Sequence, residues 1–232
     1  MSAPYNHHAT KPEMGVQIDE LVASCALGNL PKSLDVLIKS HIELKPAANA
    51  FFQALEKSAA SELLNLSFVG KVDSRVRRLE DIFAADDVQI KYETSKHLQK
   101  NSEYQQDETL PFALREYIGK PLKDVAWRWR MPGLKEYRIE SAYGYEASLL
   151  WIKAGRKMPS HTHDGLEATL VLKGSFGDEH EHYARGDVSL ADCDIDHSPK
   201  AGTEEDCICL MVTNAPLRLT GRLGHFFSKI FS

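Results

Sequence analysis

A chain of 232 residues is long enough for one large domain or two small ones, with a proper buried core in either case. Its net charge of -5, with no arginine-rich run and no interleaved basic and aromatic patch, excludes a surface built to hold nucleic acid. No stretch approaches the roughly twenty apolar residues of a membrane span, residues 1–15 lack a signal peptide's apolar core, and Cys25, Cys193, Cys207 and Cys209 are too scattered for a disulfide framework, so a cytoplasmic protein with reduced thiols is expected.

In chain order, residues 1–12 read as a polar tail containing His7-His8. Over residues 16–27, Ile18, Leu21, Val22, Cys25 and Ala26 recur at helical spacing, and Gly28 is a natural stop. Pro31 suits a first helical position, and Leu34, Leu37, Ile38, His41 and Ile42 form the next stripe, which ends before Pro46. Pro46 opens a third helix through about residue 66, with Ala50, Phe51, Ala54, Leu55, Leu63 and Leu64 as its apolar face. A fourth starts at Asp73, whose carboxylate caps free N–H groups, and carries Val76, Leu79, Ile82 and Phe83. Residues 16–85 thus predict a small helical bundle. Residues 86–109 are rich in Gln, Lys, Glu, Asp and Ser and read as a linker, which places a boundary between a helical part at 1–95 and a second part at 96–232. From Pro111 onward Gly and Pro punctuate β-prone runs at 145–153, 168–172, 188–190 and 207–213, the rhythm of an antiparallel β-barrel. The fold class is α + β, a helical bundle followed by a barrel.

Chemistry concentrates in residues 155–197. His161 and His163 stand two apart on a β-prone run, so both imidazoles point to one face and Thr162 to the other. Asp164-Gly165 is turn chemistry. With a three-residue loop Glu167 falls opposite His163 and shares its face; with a two-residue loop it turns outward. After another turn at Gly186-Asp187 and a short strand comes His197. Three imidazoles and a carboxylate suit one divalent transition metal.

These spacings resemble the two cupin motifs. Gly155, His161, His163, Glu167 and Gly174 meet every spacing of the first, and Gly186 precedes His197 by the eleven positions of the second. Asp192 and Asp194 stand where the second motif carries Pro and Gly, which changes turn residues and not a ligand. The resemblance implies a double-stranded β-helix with a metal on His161, His163, Glu167 and His197, zinc first, with Fe, Mn and Ni fitting the same donors.

A helical bundle joined to such a barrel, with Trp127-Arg-Trp-Arg-Met-Pro-Gly before the motifs and residues 206–218 after them, is similar to the ChrR-type anti-sigma factors over nearly the whole chain. That resemblance implies a non-enzymatic regulator: helices that bind an extracytoplasmic-function sigma factor, and a cupin barrel that couples an oxidative or small-molecule signal to that grip. Family members carry a second zinc site among the helices. Aligned on Gly28-Asn29-Leu30, this chain has Val16, Lys45 and Ala48 in place of three of its ligands and keeps only His41. One imidazole cannot hold structural zinc, so the bundle is expected to fold on its apolar stripes without metal.

Cys207 and Cys209, at i and i+2 of a strand, share a face; packing is favoured over a redox role. His180-Glu-His182 repeats the spacing without a following Glu and reads as a solvated hairpin. The rival function is a metal-dependent cupin enzyme, an oxygenase or isomerase. No convincing general base supports it, Tyr143, Tyr145 and Asp178 being the nearest candidates, and no catalytic residue is assigned.

Overall fold

The computed structural model describes residues 17–65, 108–177 and 181–220. The expected fourth helix lies outside them, as do His7, His8, Val16, Asp178 and His180. The first three helices are α1 (Ile18–Ala26), α2 (Lys32–Leu44) and α3 (Pro46–Asn65). Gly28 ends α1 with φ +68, and the N–H of Asn29 returns to the Ser24 carbonyl at 3.0 Å, a stop that a residue with a Cβ adopts only at a cost. On α3 the inward stripe is Ala48, Phe52 and Leu55, and not the expected Ala50, Phe51 and Ala54, which are exposed. Adjacent phenylalanines leave the phase of a stripe ambiguous, and packing against α1 and α2 selects Phe52.

The region after Pro111 opens with a helix that the β-prone reading missed, α4 (Phe112–Ile118). Pro111 precedes it, Gly119 at φ +69 closes it, and Leu114 and Ile118, four apart, are its buried side chains. It packs on α2, and its first N–H donates to the Glu43 carboxylate at 2.7 Å. A short 3-10 turn (Leu122–Asp124) leads into the eleven strands found among the described residues.

The strands are β1 (Arg128–Met131), β2 (Leu134–Ala142), β3 (Tyr145–Ile152), β4 (His161–His163), β5 (Glu167–Lys173), β6 (Ser175–Gly177), β7 (His182–Ala184), β8 (Val188–Ala191), β9 (Lys200–Ala201), β10 (Cys207–Thr213) and β11 (Leu217–Leu219). They form three antiparallel sheets: a six-stranded one in the order β1-β2-β3-β10-β5-β8, a three-stranded one in the order β7-β6-β9, and the pair β11-β4.

Period-two alternation divides the large sheet into two buried faces. Ala147, Leu149, Ala168, Leu170, Leu210 and Val212 join one core with Leu34, Leu37 and Ile38 of α2 and with α4. Ile152, Val171, Cys207 and Cys209 join a second core with Met158, Phe176 and Ala201 inside the barrel. The near-continuous apolarity of β5 and β10 follows, because helices cover one face and the opposing sheets cover the other.

Candidate metal centre

β4 pairs with β11, His161 lying across from Leu219 and His163 from Leu217. Three residues separate it from β5, but they carry the chain from one sheet to another and do not close a hairpin. Glu167 begins β5 between Thr213 and Ala191. It falls in the set Glu167, Thr169, Val171 that faces the barrel interior, which is how it meets the two imidazoles. The corner is held by Asn214, whose Oδ1 accepts from the Leu166 N–H at 2.8 Å; a Cβ on Gly165 would stand 2.3 Å from that oxygen.

His197 arrives by backbone pairing with His161, through N–H···O contacts of 3.0 and 3.1 Å in the two directions. Asp192 and Asp194 take over the turn that leads there. The Asp194 N–H donates to Asp192 Oδ1 at 3.0 Å, so a side chain shapes the bend where the motif has Pro and Gly. Ser160 and Thr220 both donate to Asp196 Oδ1 at 2.8 Å, which lowers that carboxyl's pKa and ties the loop beside His197.

The four donor groups His161, His163, Glu167 and His197 have ligand atoms within 4.8 Å of one another. His161 Nδ1 lies 2.8 Å from the Pro159 carbonyl, and because a carbonyl only accepts, the proton is on Nδ1 and the lone pair on Nε2. That Nε2 stands 2.9 Å from His197 Nε2. His163 is 1% exposed with neither ring nitrogen in a hydrogen bond, its Nε2 3.3 Å from Glu167 Oε2. Thr169 donates to the other Glu167 oxygen at 3.2 Å. Burial lowers His161 to about 4; burial and the neighbouring imidazoles lower His163 to about 3; burial pushes Glu167 up to about 7.

This arrangement fits a cation. His161 turns its Nε2 lone pair toward the centre and neither His163 nitrogen has a hydrogen-bond partner, so a positive charge there would engage both and ionise Glu167. Around a tetrahedral ion, bonds of about 2.0–2.2 Å hold the donors roughly 3.3–3.6 Å apart, so the widest pair would draw together by about 1 Å.

A cavity of about 410 Å³ adjoins the four ligands. Leu134, Leu150, Ile152, Met158, Phe176 and Met211 supply its apolar wall. A half-buried carboxylate on its wall, Glu136, is paired with Arg130 and accepts from Ser148 Oγ at 2.8 Å, a network the sequence reading did not anticipate although Arg130 lies in the Trp127-Arg-Trp-Arg stretch. Cys207 and Cys209 do share the interior face, with Sγ atoms 3.4 Å apart; the contact with Cys207 and burial push the Cys209 thiol well above its usual value. His182 is exposed on β7. Tyr143 is 98% exposed at the tip of the β2–β3 hairpin, and Tyr145 packs toward the helices, so neither addresses the cavity.

At the positions the resemblance assigns to a helical zinc site, His41 donates from Nδ1 to the Gly186 carbonyl at 2.7 Å, Lys45 pairs with Asp187 at 2.6 Å, and Ala48 packs against the apolar core.

A double-sided antiparallel sheet, covered by helices outside and turning three imidazoles and a carboxylate inward, defines a cupin barrel with a donor set able to hold a metal, joined to a helical layer. The family model described as "ChrR Cupin-like domain" matches residues 118–217. Over 213 residues the chain is 32% identical to the Anti-sigma-E factor ChrR of Cereibacter sphaeroides, covering 92% of this chain and 95% of that protein. The crystal structure of Rhodobacter sphaeroides SigE in complex with the anti-sigma ChrR matches at a TM-score of 0.69 and 31% identity, over 86% of this chain and 97% of that one. The chain belongs to the ChrR family of anti-sigma factors. No helix among the described residues is long and apolar enough to cross a membrane.

Proposed function

We propose that this protein is an anti-sigma factor that holds an extracytoplasmic-function sigma factor through its helical part, residues 1–95, and couples an oxidative or small-molecule signal to that grip through the barrel, residues 96–232. The observation that carries the reading is a likeness spanning both halves to an anti-sigma protein whose crystal structure contains its sigma factor. Among the described helical residues, Leu27 at 69% exposure and Phe51 at 38% are large apolar side chains left facing solvent, as a docking surface requires. His161, His163, Glu167 and His197 would hold one divalent ion, zinc before Fe, Mn or Ni. Such an ion would supply Lewis acidity beside the cavity. The chain's own contribution is to keep His161 and His163 neutral, to orient His161 through Pro159, and to screen the site behind an apolar wall.

The test uses the full-length chain, a pull-down of the sigma factor and a promoter reporter. Phe51→Glu should release the sigma factor. His161→Ala with His163→Ala should retain it and lose the response. Release by the histidine pair with retention by Phe51→Glu would reverse the division of labour. The cavity favours a second reading, a metal-dependent cupin enzyme, which turnover of a small molecule by the metal-loaded chain without any sigma factor would establish.

A further inference from the structure

The helical layer meets the barrel at more than an apolar face. The turn at residues 184–187, between β7 and β8, inserts against the last turn of α2. Its centre is Gly186, at φ +87, where a Cβ would lie 3.0 Å from Leu44 Cβ and 3.1 Å from Lys45 Cε. Two polar contacts flank this approach. His41 is buried and burial lowers its pKa, so it is neutral; facing a carbonyl, its Nδ1 carries the proton and donates to Gly186 O at 2.7 Å. Asp187 uses both oxygens, Oδ1 on Lys45 Nζ at 2.6 Å and Oδ2 on the Ala184 N–H at 2.8 Å. Arg185 of the same turn donates to the carbonyls of Glu108 at 2.6 Å and Thr109 at 3.1 Å, on the segment that enters α4.

The turn is also bonded to the strand that bears a metal donor. Gly186 N–H donates to Val171 O at 2.8 Å, and Val171 N–H to Asp187 O at 3.0 Å. Val171 lies four residues beyond Glu167 on β5, and β8, which the turn begins, ends at Ala191 opposite Glu167 before the chain runs on to His197.

We infer that the turn at residues 184–187 is a joint that locks α2 to the barrel through His41 and Lys45, and that it links the strands carrying Glu167 and leading to His197 to the helices. Two of the positions at which the family resemblance expects zinc ligands, His41 and Lys45, hold the barrel instead. The first half of this inference needs no metal; the second rests on the metal reading above.

Hydrogen exchange on the full-length chain tests both halves. In the variant His41→Leu with Lys45→Ala, amides at the end of α2 should exchange about tenfold faster, the size that follows from losing a buried hydrogen bond, while β3 and β10 amides keep their native rates. If that variant does not fold, Lys45→Ala alone should accelerate the same amides about threefold, and exchanging the partners as Lys45→Asp with Asp187→Lys should restore them. Native rates at the end of α2 in these variants would overturn the joint. Adding Zn²⁺ to the native chain should then slow exchange both at Gly186 and Val171 and at the end of α2, and in the variant only at Gly186 and Val171. Equal slowing of α2 in both proteins, or slowing confined to the barrel in the native chain, would overturn the link. A chain that takes up no zinc by elemental analysis would refute the metal reading and with it the link, and leave the joint to be judged on the first comparison.

Discussion

On the helix-facing side of the large sheet, Ala147, Leu149, Leu170 and Leu210 meet α2 at 0% exposure, while on the other side of the same strands Ser148, Glu167, Thr169 and Cys209 turn toward the cavity. Neighbouring residues thus face opposite demands. The first surface is apolar and close-packed; the second carries a carboxylate pushed up to about 7 and faces imidazoles lowered to about 4 and about 3, in the first place by burial. Stability is placed on one face and chemistry on the other, which lets the second remain strained in charge because the first secures the strands. A substitution on one face should therefore leave the other's property untouched.

The largest expected effect breaks the apolar face. Leu37→Ala removes a side chain at 0% exposure between α2 and the sheet and should destabilise the chain by roughly 2–5 kcal/mol in urea unfolding, with metal content per folded chain unchanged. A loss well under 1 kcal/mol would show that the helices are not fastened there. On the chemical face, His161→Ala with His163→Ala should reduce bound metal from one equivalent to none by elemental analysis while far-UV circular dichroism stays native. A full equivalent in that variant would refute the ligand set.

A pH series sharpens the comparison further. Above about pH 7 Glu167 is ionised and both His161 and His163 are neutral, so an ion displaces no proton from these three. Between about pH 7 and 4 the folded chain holds one proton on Glu167 that the ion must expel, so affinity should fall about tenfold per unit as pH drops, and more steeply once His161 titrates near 4. Isothermal titration measures that slope, and Glu167→Gln should bind more weakly but flatten it. An affinity independent of pH from 7 to 5 in the native chain would contradict the raised carboxyl. The smallest expected effect is none: a strong chelator should leave the helical signal at 222 nm intact, since Leu21, Val22, Leu34 and Ile38 hold the helices by packing and Lys45 and Ala48 stand in place of ligands. A zinc-reversible collapse of that signal would refute it.

Much of this division was legible in the residues. Alternation along a strand put His161 and His163 on one face, and the resemblance to the two cupin motifs added Glu167 and His197. The route was not legible. Loop length at Asp164 allowed a hairpin, but which sheet each strand joins is decided by long-range pairing with β11 and β10. Helix α4 was missed although Pro111, Leu114, Ile118 and Gly119 are its start, stripe and stop, because one turn and a half of periodicity is a weak signal beside many β-prone neighbours. The covering of the sheet by α2 had left a trace in the near-continuous apolar runs at 168–172, interrupted only by Thr169, and at 207–210, since a strand with one wet face would alternate. Phe51 and Phe52 could not be told apart by period, and that ambiguity hid the exposed one.

The proposed grip of the helical surface on a sigma factor and the proposed metal in the barrel are examined together by purification of the full-length chain from its native host. The predicted result is a complex containing one extracytoplasmic-function sigma factor per chain and one divalent ion per chain, with Phe51→Glu losing the sigma factor and keeping the ion. A chain that carries the ion but retains no sigma factor at all, or one from which Phe51→Glu strips the metal and not the partner, would contradict it.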